Sequence, residues 1–236
     1  VDGEVTRGEM ITRVSRIVGL GSSDAHSTEE RALLEELANE AVLDMLRRTR
    51  IALRCVDITL VAGKREYELA DEILTLHNLR TEAGTELSEY SSGDIRRVGS
   101  GGYAIVGYNR LALGWEPDAD GLIIEAWYQR KPTPMSDDTH DPSDPTYGGI
   151  PEEFHPGLIN YMCWHAAASV GEAGTGLGER YRILYEGQDG MGMMGSNLGQ
   201  IKMAVNRRGR SGAGSRRLPA AGEIRLIDTD PTYFSG

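Results

Sequence analysis

Asp137, Asp138, His140, Asp141 and Asp144 crowd into one short polar stretch, which places five side chains able to ligate a metal close together. Carboxylates and an imidazole at that density would suit a divalent cation and, with it, metal-assisted hydrolysis. Their spacing argues against this, because it lacks the alternating oxygen ligands, central glycine and terminal glutamate of a calcium loop. A solvated acidic loop is the better reading, and no metal ligand is assigned. His155 and His165 lie on one predicted helix, rotated about 80° from each other, a poor arrangement for a shared metal. His165, on the apolar face, reads as a core histidine. The chain contains no G-x-S-x-G elbow, no G-x-x-x-x-G-K-[ST] phosphate loop and no H-E-x-x-H. Glycines near Gly99 to Gly102 and Gly171 to Gly178 lack a strand-to-helix phosphate-binding setting and are read as turns. None of the 36 acidic residues sits in surroundings that mark a general acid or base. No catalytic residue and no cofactor is predicted, and the expected protein is not an enzyme.

The elements that would carry these residues follow from periodicity. Residues from Thr6 to Val18 place Met10, Ile11, Val14, Ile17 and Val18 on an apolar side, with Gly19 and Gly21 as the stop. Ser27 and Glu30 form a capping-box signature ahead of a helix running to Arg50, with Leu34, Leu37, Ala41 and Met45 on its apolar face. From Arg54 the period changes to two. Val56, Ile58 and Leu60 alternate with Asp57 and Thr59, and the turn Ala62-Gly63-Lys64 leads to Tyr67 and Leu69, a predicted hairpin. Further strands are expected at Ile73 to Arg80, Thr85 to Tyr90, Tyr103 to Tyr108, Arg110 to Trp115 and Leu122 to Tyr128, with a short helix around Ser92 to Val98.

From Ile150 the helical period returns. Phe154, Leu158, Met162 and His165 share one face, and after the glycines at 171–178 a second pattern runs from Tyr181 and Leu184 to Val205. Gly187, Gly190, Gly192, Gly195 and Gly199 lie inside it, each costing a helix about 1 kcal/mol relative to alanine. Either this is a loop with scattered methionines, or the glycines admit another backbone closely and packing restores stability. The predicted fold is α+β: a bundle of two N-terminal and two C-terminal helices, an inserted antiparallel β module and an extended C-terminal tail. Its expected parts are 1–53, 54–128, a polar connection 129–149, 150–206 and the tail 207–236. Leu34, Leu37, Ala41, Met45, Phe154, Leu158, Met162, Tyr181 and Leu184 are the expected bundle core.

With 236 residues and 39% hydrophobic content, the chain can form a packed core in one large domain or two small ones. No run resembles a signal peptide or approaches the roughly 20 apolar residues of a membrane span, so a soluble protein made in a cytoplasm is expected. Cys55 and Cys163 are expected as free buried thiols. A net charge of −11 argues against a surface that grips nucleic acid over most of its area, though it would suit one that DNA slides past. Lys202 to Arg217 reverses that sign, with six basic residues and no acidic one. Beyond it, Ile224, Leu226 and Ile227 can add a strand to a sheet edge, and Tyr233 and Phe234 can anchor in a pocket. Arg207, Arg208, Arg210, Arg216 and Arg217 would lead this docking tail to its partner. The alternatives are a tail without a role, or one folded back on the acidic body.

Two phrases carry a family resemblance: V-A-G-K-R-E-Y-E-L-A-D-E-I-L-T-L, from Val61 to Leu76, and I-P-E-E-F-H-P-G-L-I-N-Y-M-C-W-H-A-A-A from Ile150, followed by E-R-Y-R-I-L-Y-E-G. Together with the order helix, helix, β insert, helices, they resemble the head-to-tail adaptor (head-completion, connector) proteins of tailed bacteriophages. Ala70 stands where that pattern has proline. The resemblance implies a virion protein of the neck, a ring expected as a dodecamer, placed between the portal and downstream neck or tail proteins. Such a ring passes double-stranded DNA without specific binding and has no membrane partner. The rival reading is a β-rich glycan- or peptide-binding module using Tyr103, Tyr108, Trp115 and Trp127.

Overall fold

The computed structural model describes residues 5–20, 26–70, 72–95, 101–107, 109–170, 172–187 and 196–211. The fold is α+β, and the chain divides into two compact units. One is helical and combines the residues up to Ala52 with those from Pro132 onward; the other, Leu53–Lys131, carries the strands. The connection expected as a separate segment at 129–149 therefore belongs, from Pro132, with the helices.

In the helical unit, α1 spans Arg7–Val18, where the Thr6 side chain accepts from the Glu9 amide and Gly19 closes the end at φ 84°. That left-handed cap suits glycine, which has no Cβ to clash. Met10, Ile11, Val14 and Val18 are buried, whereas Ile17 faces outward. The second helix, α2, spans Thr28–Arg48. Its capping box is complete: the Glu30 amide donates to Ser27 Oγ at 3.2 Å, and the Ser27 amide donates to Glu30 Oε2 at 2.8 Å. Leu34, Leu37, Ala41 and Met45 all point into the core.

A single turn of 3-10 helix, Glu152–Phe154, leads into α3, His155–Ala167. Helix α4 covers Glu172–Glu186, and α5 covers Asn197–Ser211. Three helices therefore stand where two were expected. The continuous pattern from Tyr181 to Val205 is broken after Glu186, where Gly187 takes φ 101°, a conformation that ends a helix cheaply only for glycine. Residues 188–195 lie outside the described ones. The expected glycine break at 171–178 is instead helical from Glu172. Gly178 shows why glycine is used there: a Cβ would lie 3.2 Å from the Trp164 carbonyl oxygen and 3.4 Å from Ala167 Cβ, so α3 and α4 meet backbone to backbone. Gly157 of α3 makes room for side chains instead, since a Cβ there would lie 2.8 Å from Met45 Cε and 3.2 Å from Asn197 Cβ.

The β unit holds two sheets. Strands β1 (Leu53–Thr59), β3 (Ile73–Thr81) and β7 (Ile123–Arg130) form an antiparallel sheet in the order β1-β7-β3. Strands β2 (Glu66–Glu68), β4 (Ser88–Glu89), β5 (Gly102–Val106) and β6 (Arg110–Leu113) form the other in the order β2-β6-β5-β4. The hairpin expected between β1 and β2 is absent from this arrangement, because the two strands enter different sheets and β1 pairs with β7. The module is also not wholly antiparallel, since β4 pairs with β5 in parallel. Leu60, Tyr67, Leu79, Leu111, Leu113 and Ile124 fill its core. Tyr67 also ties the turn that precedes it, its hydroxyl accepting from the Val61 amide at 3.0 Å and donating to the Lys64 carbonyl at 2.9 Å. The short helix expected at 92–98 begins as a turn in which the Ile95 amide donates to Ser91 O; residues 96–100 lie outside the described ones.

Candidate assembly surfaces

The bundle core is built around aromatic side chains as much as aliphatic ones. Leu158 and Met162 of α3 are fully buried, as is Tyr185 of α4. Tyr185 stacks edge-on against Tyr161 at 5.4 Å between ring centroids, and its hydroxyl donates to Asp44 Oδ2 on α2 at 2.8 Å. Burial and the adjacent Asp44 carboxylate push the Tyr185 phenol far up, so it remains a neutral donor. The expected core set is thus altered on α4. Tyr181 and, ahead of α3, Phe154 are half-buried, and Leu184 is 40% exposed. One residue on a helix is a rotation of about 100°, so the face that turns Tyr185 inward turns Leu184 out.

The polar connection is held down by α1 and α2. Arg7, only 5% exposed, donates to the Met135 carbonyl at 2.9 Å and to Asp138 Oδ1 at 2.9 Å. Arg31 binds Glu35 and the same Asp138. Burial pushes the Asp138 carboxyl up, but the hydrogen bonds and charges of Arg31 and Arg7 outweigh it and hold the group below its ordinary value. Asn39 completes the strap, accepting from the Met135 amide at 2.7 Å. Backbone bonds from Arg7 N to His140 O and from Gly8 N to Asp138 O bring the chains close enough that a Cβ on Gly8 would lie 2.9 Å from Asp138 Cβ. No local pattern marks Arg7 for this role in the sequence; Gly8 beside it is the one trace.

The acidic stretch has structural employment. Asp137 accepts from the amide and hydroxyl of Thr139, Asp141 from the Ser143 amide and Asp144 from the Thr146 amide. His140 Nδ1 accepts from the Ser136 amide, and its ring stacks on Tyr147 at 4.1 Å. Each carboxylate closes a tight turn or an ion pair, and no cluster of potential metal ligands occurs among the described residues. His155 and His165 do not converge either: His155 is buried against the Ile150 carbonyl, while His165 packs on Tyr161. Burial pushes the Cys163 thiol up to about 12, which leaves it unreactive.

Of the residues expected in the docking tail, Arg207, Arg208 and Arg210 lie on the backbone of α5, which continues to Ser211 instead of ending at 206. Arg216, Arg217, Ile224, Leu226, Ile227, Tyr233 and Phe234 lie outside the described residues. The aromatic platform of the rival reading is dispersed, with Tyr103 and Trp127 buried in the β unit and Tyr108 outside the described residues. Trp115 instead lines a groove of about 560 Å³ with Leu60, Thr81, Glu82, Leu122 and Ile124. Leu122, at its rim, is 41% exposed. An apolar residue directly after D-A-D-G was the available signal for this site.

The body is α+β and divides into two compact units. The family model described as SU10 adaptor protein matches residues 5–217. The chain belongs to that family, whose members are phage head-tail adaptors. Membership implies a structural, non-enzymatic role and interaction with other phage head or tail proteins. No curated protein matches the chain. Among the described residues, no helix is long and apolar enough to cross a membrane.

Proposed function

We propose that this chain assembles in the bacterial host cytoplasm into a dodecameric ring. The ring sits in the neck of the virion between the portal and the downstream neck or tail proteins, extends the DNA channel and joins head to tail. The family match, which spans residues of both units, is the observation that carries this reading. The net charge of −11 supports it, since an acidic wall repels the phosphate backbone and lets DNA pass without being held. Docking to the portal or a neighbouring subunit falls to the tail beyond Ser211, with Arg216 and Arg217 leading Ile224, Leu226, Ile227, Tyr233 and Phe234. Arg207, Arg208 and Arg210, on the last turns of α5, form its root.

A phage lacking this chain tests the reading. Its DNA-filled heads and free tails should remain apart, and purified full-length chain added to the mixture should join them. Particles that join equally well without it would contradict the role.

A further inference from the structure

Where the proline-rich connection turns back onto α3, two buried polar atoms lack a partner among the described residues: Nδ1 of His155 and Oδ2 of Asp141. His155 opens α3 and is fully buried, and its Nε2 lies 2.9 Å from the Ile150 carbonyl oxygen. A carbonyl can only accept, so the ring proton sits on Nε2 and Nδ1 presents a lone pair. Asp141, 8% exposed, accepts from the Ser143 amide through Oδ1 at 2.7 Å, which leaves Oδ2 as a second buried acceptor. The backbone brings the two side chains into one corner. The Ile150 amide donates to the Pro142 carbonyl at 2.9 Å, so the neighbour of Asp141 is bonded to the residue whose carbonyl holds His155. Of the charges that act on His155, Asp141 is the strongest, ahead of Glu152 and, on α1, Arg13, as its nearness requires.

Two acceptors cannot bond each other, and a carboxylate oxygen in the interior is costly to leave without a donor. The nearby donors of the protein are committed elsewhere: the Ser143 amide serves Oδ1, and the Arg13 guanidinium pairs with Glu9 at 3.5 Å on a side chain that is 47% exposed. A metal ion needs more ligands than these two, and no group of three potential ligands occurs among the described residues. The pair calls for a small neutral molecule that offers two hydrogens. We infer that one buried water molecule bridges His155 Nδ1 and Asp141 Oδ2, donating a hydrogen to each and fastening the end of the connection to the first turn of α3. Its two hydrogens match only the neutral ring, because a proton on Nδ1 turns that atom into a donor able to bond Oδ2 directly. The site lies wholly within the helical unit and does not depend on the ring reading.

The full-length chain, crystallised at neutral pH and at a resolution that shows ordered water, tests this. One water peak should lie about 2.7–3.2 Å from both His155 Nδ1 and Asp141 Oδ2. In solution, ring-nitrogen NMR of the same chain carrying isotope-labelled histidine should give His155 the pattern of a neutral ring protonated at Nε2. Cross-relaxation between water and the His155 Hε1 proton, which lies beside Nδ1, should carry the sign of a water held longer than the tumbling time of the protein. Asp141→Ala deletes one of the two acceptors and should abolish that cross-relaxation. A direct bond between Nδ1 and Oδ2, a doubly protonated ring at neutral pH, a coordinated cation or no peak between the two atoms would overturn the inference. So would a water signal that Asp141→Ala leaves unchanged. If that variant does not fold, the crystal structure and ring pattern of the parent decide by themselves.

Discussion

Arg7 and Asp138 are 131 residues apart in sequence and 2.9 Å apart in space, and through them the first turn of α1 holds the proline-rich connection to the bundle. The guanidinium is almost fully buried while half of the Asp138 side chain is exposed, so the two ends of the pair are unequal. Removing the arginine leaves the Met135 carbonyl only the longer bond from Asn39 Nδ2, at 3.3 Å, and opens a hole. Removing the carboxylate exposes the guanidinium to solvent from one side only.

Arg7→Met should therefore cost about 2–3 kcal/mol of unfolding free energy, measured by urea titration, because hydrogen bonds to charged groups carry about that much. Arg31→Met, at a more exposed guanidinium, should cost about 1 kcal/mol or less. Equal costs would show that burial of Arg7 contributes nothing.

The bundle core gives a paired expectation. Leu37→Asp places a carboxylate at a position only 5% exposed and should unfold the chain or lower its stability by about 4 kcal/mol. Gly178 separates two opposing effects. Alanine gains about 1 kcal/mol of helix propensity and loses part of it to the crowded Trp164 carbonyl. Valine adds branches that the 3.2 Å approach cannot hold and should cost about 2 kcal/mol. Thermal melts of both variants check this, and a valine variant as stable as the parent would remove the close-packing account of α3 and α4.

Acid should weaken the fold in two separate windows. His155 Nε2 donates to Ile150 O at 2.9 Å, and Nδ1 is buried without a hydrogen-bond partner. Burial holds the pKa of His155 below 6.5, outweighing the hydrogen bond to Ile150 and the attraction of Asp141 and Glu152. The unfolded chain thus takes up this proton first. The contribution of neutral His155 is complete above pH 6.5 and is lost as pH falls through the depressed value; His165 shifts in the same direction, again chiefly by burial. Stability should fall as the pH drops below 6.5, by at most about 1.4 kcal/mol per pH unit for each histidine. His155→Gln should flatten this slope. Asp138 acts only lower, its contribution being complete above pH 3.8 and lost beneath it. Denaturant titrations across both windows distinguish the groups, and a His155→Gln slope equal to that of the parent would contradict the assignment.

A channel wall should not hold what passes through it. Anisotropy titrations with labelled duplex DNA should show binding weaker than about 10⁻⁶ M at physiological salt, without sequence preference and steeply reduced by added salt. Submicromolar, sequence-specific binding would contradict the channel role.

Local chemistry was legible and long-range pairing was not. The Ser27 and Glu30 capping box, the left-handed stop at Gly19 and the strands at Ile73, Arg110 and Ile123 all follow from neighbouring residues. The partner of β1 is β7, some 70 residues away, and nothing near Val56 reports it. The turn at Ala62 to Lys64 therefore resembled a hairpin, although Tyr67 secures that turn while β2 enters the other sheet. Close backbone approach is seen at Gly178, in the stretch read as a turn, whereas Gly187 ends a helix and Gly190, Gly192 and Gly195 lie outside the described residues. Periodicity does not distinguish a glycine that admits a neighbour from one that adopts positive φ. Leu184 shows a related limit, since a helical stripe broad enough to include both Leu184 and Tyr185 does not say which one faces the core. The acidic stretch lacks metal-loop spacing, and its attachment through Arg7 depends on a contact that no local window contains.

The most direct measurement of the central claim is negative-stain imaging of the purified full-length chain mixed with its phage portal. The account predicts rings of this chain coaxial with the portal and continuing its channel. A chain that remains monomeric beside intact portals, at every concentration and salt condition in which both are soluble, would contradict it.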